Sequence, residues 1–235
     1  MSLIIETFSV QNNYFIRLMS EESLVLTSTG RIVFIQVLRI SFKKTTMSSP
    51  KYLTVALAQI APVWLDKAAT LDKIEQSMHA AAAEGAELVV FGEALLPGYP
   101  HWLANTHASE WDSTVQKEIF AHYVSQSVRI DKGDLDSVCK LADRHSMAVY
   151  LGTIERAADR GGHSLYCSLV YIDPEGEIRS VHRKLQPTYD ERLAWAQGDG
   201  NGLQVHPLKE FTVGGLNCWE NWMPLPRAAL YGMGE

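Results

Sequence analysis

The sequence predicts an α/β layered fold, and three observations carry that prediction. Two short apolar runs, LTVALAQI at residues 53–60 and AELVVF at residues 86–91, bracket a stretch with helical spacing. A second helical stretch leads into a third apolar run, MAVYLGTI at residues 147–154. Apolar runs of this length, bounded by turn residues, read as strands buried on both faces, the pattern of a sheet with helices packed over it.

Each element has a local reason. The first run stops near Pro62. Asp66 is placed as a helix cap, and Leu71, Ile74, Met78 and Ala82 then recur at three- and four-residue spacing. Gly85 is placed to end that helix. Leu135, Val138, Leu141, Ala142 and His145 mark a second amphipathic helix. Residues 164–172 predict a fourth strand, Asp173-Pro174-Glu175-Gly176 a turn, and residues 178–182 the hairpin partner. Residues 211–216, FTVGGL, predict a further strand that ends at Asn217-Cys218.

Composition narrows the class. At 46% hydrophobic and 20% charged residues, general disorder is not expected. A net charge of −6 points away from nucleic acid, which favours a basic face. No run approaches the ~18 apolar residues of a membrane helix. Cys139, Cys167 and Cys218 are odd in number and widely spaced, so neither a disulfide framework nor a zinc site is expected, and a reducing, cytoplasmic compartment fits. The eight histidines show no metal-ligand spacing. Residues 1–46 show no clean helical period and no alternating run long enough to predict a strand, and they form no secretory signal. Residues 1–49 are therefore expected to be an N-terminal extension, disordered or not native, with Met47 as the true start or at least the start of the folded domain.

Three strings carry chemistry. In Phe91-Gly92-Glu93-Ala94-Leu95-Leu96-Pro97-Gly98-Tyr99-Pro100 a carboxylate directly follows a buried strand, where open α/β sheets tend to place ligands. In His182-Arg183-Lys184-Leu185-Gln186-Pro187-Thr188 a lysine leaves a strand for a proline-containing loop. In Gly214-Gly215-Leu216-Asn217-Cys218-Trp219-Glu220-Asn221 a cysteine sits at a strand-to-loop turn, a place that can expose a nucleophile. Taken singly, each has a plainer reading: a solvated loop glutamate, a surface basic patch, a buried structural cysteine.

Together, in the order Glu, Lys, Cys, the strings FGEALLPGYP, HRKLQPTYDERLAWAQGDG and GGLNCWENWMPL make the sequence resemble the nitrilase branch of the carbon–nitrogen hydrolase superfamily. The resemblance runs from about Tyr52 to the end. Cys-Trp-Glu-Asn and Arg-Lys-Leu-x-Pro-Thr are more similar to true nitrilases than to the amidase branches. It implies a four-layer α-β-β-α sandwich, with residues 50–235 as a partial domain. Family members continue well past the cysteine, so a C-terminal part is expected to be missing.

The resemblance also implies roles. Cys218 is the nucleophile, Glu93 the base, Lys184 the positive charge beside the developing anion, and Glu191 a supporting carboxylate. Tyr99, Trp102, Trp195, Trp219 and Trp222 lie close to the motifs, where core packing is the default explanation and a pocket for an aromatic nitrile the sharper one; of the residues near the motifs, Tyr99, Trp102, Trp219 and Glu220 are expected around the substrate, a small nitrile or amide. No metal or organic cofactor is required. The full-length form is expected to be a homo-oligomer. The implied reaction converts a nitrile to a carboxylic acid and ammonia through a thioimidate and a thioester. Alternatives are an amidase or nitrile-hydrating enzyme with the same three residues, or an inactive fragment that only associates with family members.

Overall fold

The computed structural model describes residues 14–26, 32–44 and 51–235. One seven-stranded sheet organises them. Its strands are β1 (Tyr14–Leu26), β2 (Ile32–Lys44), β3 (Lys51–Gln59), β4 (Leu88–Phe91), β5 (Ala148–Arg156), β6 (Leu165–Ile172) and β7 (Ile178–Arg183), ordered across the sheet as along the chain. β3, β4 and β5 run parallel, and the other neighbours are antiparallel.

The parallel pair β3–β4 requires a crossover, which α1 (Lys67–Ala83) supplies. Asp66 caps it as predicted, its side chain accepting from the Ala69 N–H at 3.0 Å. α2 (Trp102–Asn105), α3 (Thr114–Gln126) and α4 (Asp136–His145) fall in the longer β4–β5 connection. In the nine-residue β5, eight positions are buried, which explains its continuous apolar run. Val149 and Leu151 meet Ile74 and Met78 of α1 and Val138 and Leu141 of α4 on one face. Tyr150 points to the other face, among Leu53, Val55, Leu88, Leu169 and Tyr171. That face is partly covered by the hairpin of β8 (Val205–Leu208) and β9 (Phe211–Gly214), a second β layer whose Leu208 joins the cluster. The α/β class and the stacking order helix, sheet, strand thus agree with the prediction. α5 (Pro224–Gly232) closes the described chain.

Two predictions differ. The expected strand 211–216 is shorter, Phe211–Gly214, because the chain leaves the hairpin at Gly215. In place of an unstructured extension, residues 14–26 and 32–44 run as paired strands, with Ile40 opposite Leu53 of β3. The segment IVFIQVLRISF is rich in β-branched and aromatic residues, and pairing rather than strict alternation decides its state. The Met1 and Met47 positions lie outside the described residues. Among the described residues no helix is long and apolar enough to cross a membrane.

Candidate active site

The three strings converge at the C-terminal edge of the parallel strands. Glu93 follows β4 on a loop stitched to β5: the Leu96 N–H donates to the Gly152 carbonyl, and the Ile154 N–H to the Leu96 carbonyl, at 2.7 Å. This crossing is so close that a Cβ on Gly152 would lie 2.1 Å from the Gly92 carbonyl oxygen and 2.7 Å from the Glu93 Cα. Glycine is needed there for approach, not for a turn.

Lys184 follows β7 and is 1% exposed. Its ammonium donates to Glu93 Oε1 at 2.7 Å and to Glu191 Oε2 at 2.8 Å. Burial by itself disfavours the charged form, but the hydrogen bonds and charges of Glu191 and Glu93 win, holding Lys184 above the ordinary lysine range. Glu191 is fixed in turn by a capping box with Thr188, whose N–H donates to Oε2 at 2.7 Å. The Tyr99 hydroxyl donates to Glu191 Oε1 at 3.1 Å, and burial and that carboxylate push Tyr99 up to about 12.

Cys218 sits at φ +48° at the start of a single 3-10 turn, Cys218–Trp222, and is exposed. Gly215 lets the chain reach it, since a Cβ there would lie 2.6 Å from Leu169 Cδ2. Burial and the Glu93 charge push the Cys218 thiol up, and Lys184 opposes them. The resting group is therefore a thiol that needs a base before it attacks. Glu93 and Cys218 line one cavity of about 420 Å³, whose other walls are mostly the apolar residues of the sheet face.

The sequence reading puts Tyr99, Trp102, Trp219 and Glu220 at the substrate. Tyr99 and Trp219 keep exposed ring surface. Trp102 is instead a core residue, its ring edge-on to Tyr123 at 4.8 Å, because its helix turns the side chain inward beneath the site. Glu220 is fully buried. Its carboxylate accepts from the Asn217 N–H at 2.8 Å and the Leu185 N–H at 2.7 Å, and meets His182 Nε2 at 2.9 Å. It has no face left for a ligand and ties the Cys218 turn to the Lys184 loop. Cys167, which no motif singles out, places its Sγ 3.4 Å from Glu93 Oε1. Only its apolar strand context was visible beforehand. Among the described residues no group of three or more His, Cys, Asp or Glu side chains could hold a metal.

The sequence pattern of the carbon-nitrogen hydrolase family matches residues 54–235. This chain belongs to the carbon–nitrogen hydrolase family. It is 37% identical over 183 residues to Nitrilase 2 of an unknown prokaryotic organism, covering 77% of this chain and 56% of that protein. It is 37% identical over 183 residues to the bifunctional nitrilase/nitrile hydratase NIT4 of Oryza sativa subsp. japonica, covering 76% and 49%. The chain thus spans about half the length of the curated relatives it matches. Its fold is similar to that of a carbon-nitrogen hydrolase from Helicobacter pylori G27, with a TM-score of 0.58 at 18% identity over 77% of this chain and 57% of that one. It is also similar to an amidase from Nesterenkonia sp., with a TM-score of 0.56 at 18% identity over 75% and 59%.

Proposed function

We propose that this carbon–nitrogen hydrolase converts nitriles to carboxylic acids and ammonia, with Cys218 as nucleophile. One observation carries the reading: a buried ammonium bridges two carboxylates, and one of those carboxylates shares a cavity with an exposed thiol. Glu93 takes the thiol proton as sulfur adds to the nitrile carbon, and the proton passes to nitrogen, giving a thioimidate. Lys184 stabilises the anion that develops on nitrogen, and later on oxygen, a contribution of about 3 kcal/mol for one preorganised donor. Water, activated by Glu93, adds to the thioimidate carbon. Ammonia leaves with the transferred proton, and a thioester remains. A second water then releases the acid and restores the thiol. Glu191 and Tyr99 keep Lys184 charged and in place.

An amide product is the second reading, favoured by the bifunctional nitrilase/nitrile hydratase name among the relatives. The branches part at one tetrahedral intermediate: expelling ammonia leads to acid, expelling the thiol leads to amide. Chromatography of products from benzonitrile and phenylacetonitrile, with parallel ammonia measurement, decides between them. The proposal predicts benzoic or phenylacetic acid with one ammonia per acid. Amide alone overturns it. The three free cysteines support a reducing, cytoplasmic setting, and the exposed Trp222 and Leu225 support self-association.

A further inference from the structure

Glu93 is held unequally at its two oxygens. Oε1 accepts from Lys184 Nζ at 2.7 Å and lies 3.4 Å from Cys167 Sγ. Among the described residues no hydrogen bond falls on Oε2. Cys167 is 1% exposed and projects from the middle of β6. It belongs to the apolar cluster of Ile154, Leu165 and Trp195, where valine would fill the space as well. What a thiol adds there is a donor.

We infer that Cys167 is a positioning residue for the proposed reaction: its S–H and the Lys184 ammonium hold Glu93 Oε1 from two sides, leaving Oε2 as the oxygen that takes the proton from Cys218. The inference rests on the nitrile-hydrolase reading. A carboxylate with one donor can rotate about its last torsion, which is soft. With donors from two elements it cannot turn without breaking one of them. The other ionisable groups near Glu93 among the described residues are Glu191 and Tyr99, which act through Lys184, and Cys218, Tyr150 and Glu235, which line the same cavity. Among the described residues the side-chain donors to Glu93 are Lys184 and Cys167, both on Oε1. Burial and the Glu93 charge push the Cys167 thiol well up, so it remains a protonated donor and not a second thiolate. Base orientation matters to rate because proton transfer needs hydrogen-bond geometry.

The test crosses packing against donation. Cys167→Val keeps an apolar side chain of similar size and removes the donor; Cys167→Ser keeps a donor and loses apolar volume. Ammonia release from phenylacetonitrile is measured for both, with thermal melting as the readout of packing. The expected result is a kcat about tenfold lower in Cys167→Val with KM within about twofold, and near-native kcat in Cys167→Ser although it melts lower. Equal rates in all three proteins overturn the inference, and so does a rate order that follows melting temperature. Placed in a Glu93→Gln background, the two substitutions are expected to change the residual rate no further. If Glu93→Gln alone leaves ammonia release unchanged, the base assignment fails and takes the inference with it. If Glu93→Gln abolishes release but Cys167→Val does not lower it, only the inference fails.

Discussion

Glu93 acts on Cys218 in two opposed ways. As a nearby anion it makes the thiol harder to ionise, while Lys184 makes it easier. As the proposed base it takes the thiol proton during attack on substrate. The two effects separate in one variant. In Glu93→Gln, direct alkylation of Cys218 by iodoacetamide, which needs only thiolate, is expected to shift its midpoint to lower pH and to speed up at pH 8. Nitrile turnover is expected to fall by at least a hundredfold. Peptide mapping after timed alkylation, beside ammonia release, checks both. A fall in both rates would make Glu93 merely structural. The acid, the ammonium and the thiol were each legible in the sequence only as members of a set, since singly each had a plainer explanation. Cys167 was not legible, because nothing in LYCSLVYI separates a donor from a core filler until the partner across the sheet is known. Trp102 takes the core-packing alternative and Glu220 is buried as well, since proximity to a motif in sequence says nothing about which way a side chain turns.

At the scale of elements, the site depends on devices that join neighbouring loops. The Gly152 crossing brings the Glu93 loop onto β5, and Glu220 links the Cys218 turn to the Lys184 loop. Burial disfavours the Glu220 charge, but the hydrogen bond and charge of His182 and the two backbone N–H donors hold its carboxyl below the ordinary value of 4.5. A carboxyl with a depressed folded-state value contributes stability that is present above the unfolded value and is lost as pH falls through the folded one. Urea midpoints are therefore expected to fall as pH drops below 4.5, and Glu220→Gln is expected to flatten that dependence. At pH 7 the same substitution is expected to cost about 1–3 kcal/mol and to lower turnover by loosening the turn that carries Cys218. A dependence below pH 4.5 as steep as in the native chain would place the acid sensitivity elsewhere. The strand–helix–strand opening and the β6–β7 hairpin were legible because periodicity and turn chemistry agree there. α3 was not assigned from the sequence, although Ile119, Phe120, Tyr123 and Val124 recur at helical spacing and pack on one cluster, with Tyr123 the fully buried one.

Across the whole molecule, the strands from β3 to β7 are buried on their helix face and only partly covered on the other, where the β8–β9 hairpin and the cavity lie. The strings in the sequence pointed to two β layers through resemblance, not through periodicity, since pairing between distant strands leaves no local trace. The strands at residues 14–26 and 32–44 show the same limit: the second pairs with β3 and the first with the second, and no local pattern announces either pairing. What unites the molecule chemically is that strand ends far apart in sequence present one ammonium, two carboxylates and one thiol at the same edge. The most direct test is peptide mass spectrometry of the chain after exposure to benzonitrile and phenylacetonitrile and rapid acid quench. The account predicts a nitrile-derived adduct on Cys218, absent from Cys139 and Cys167 and lost in Glu93→Gln. Adducts spread over all three cysteines, or none on Cys218, would contradict it.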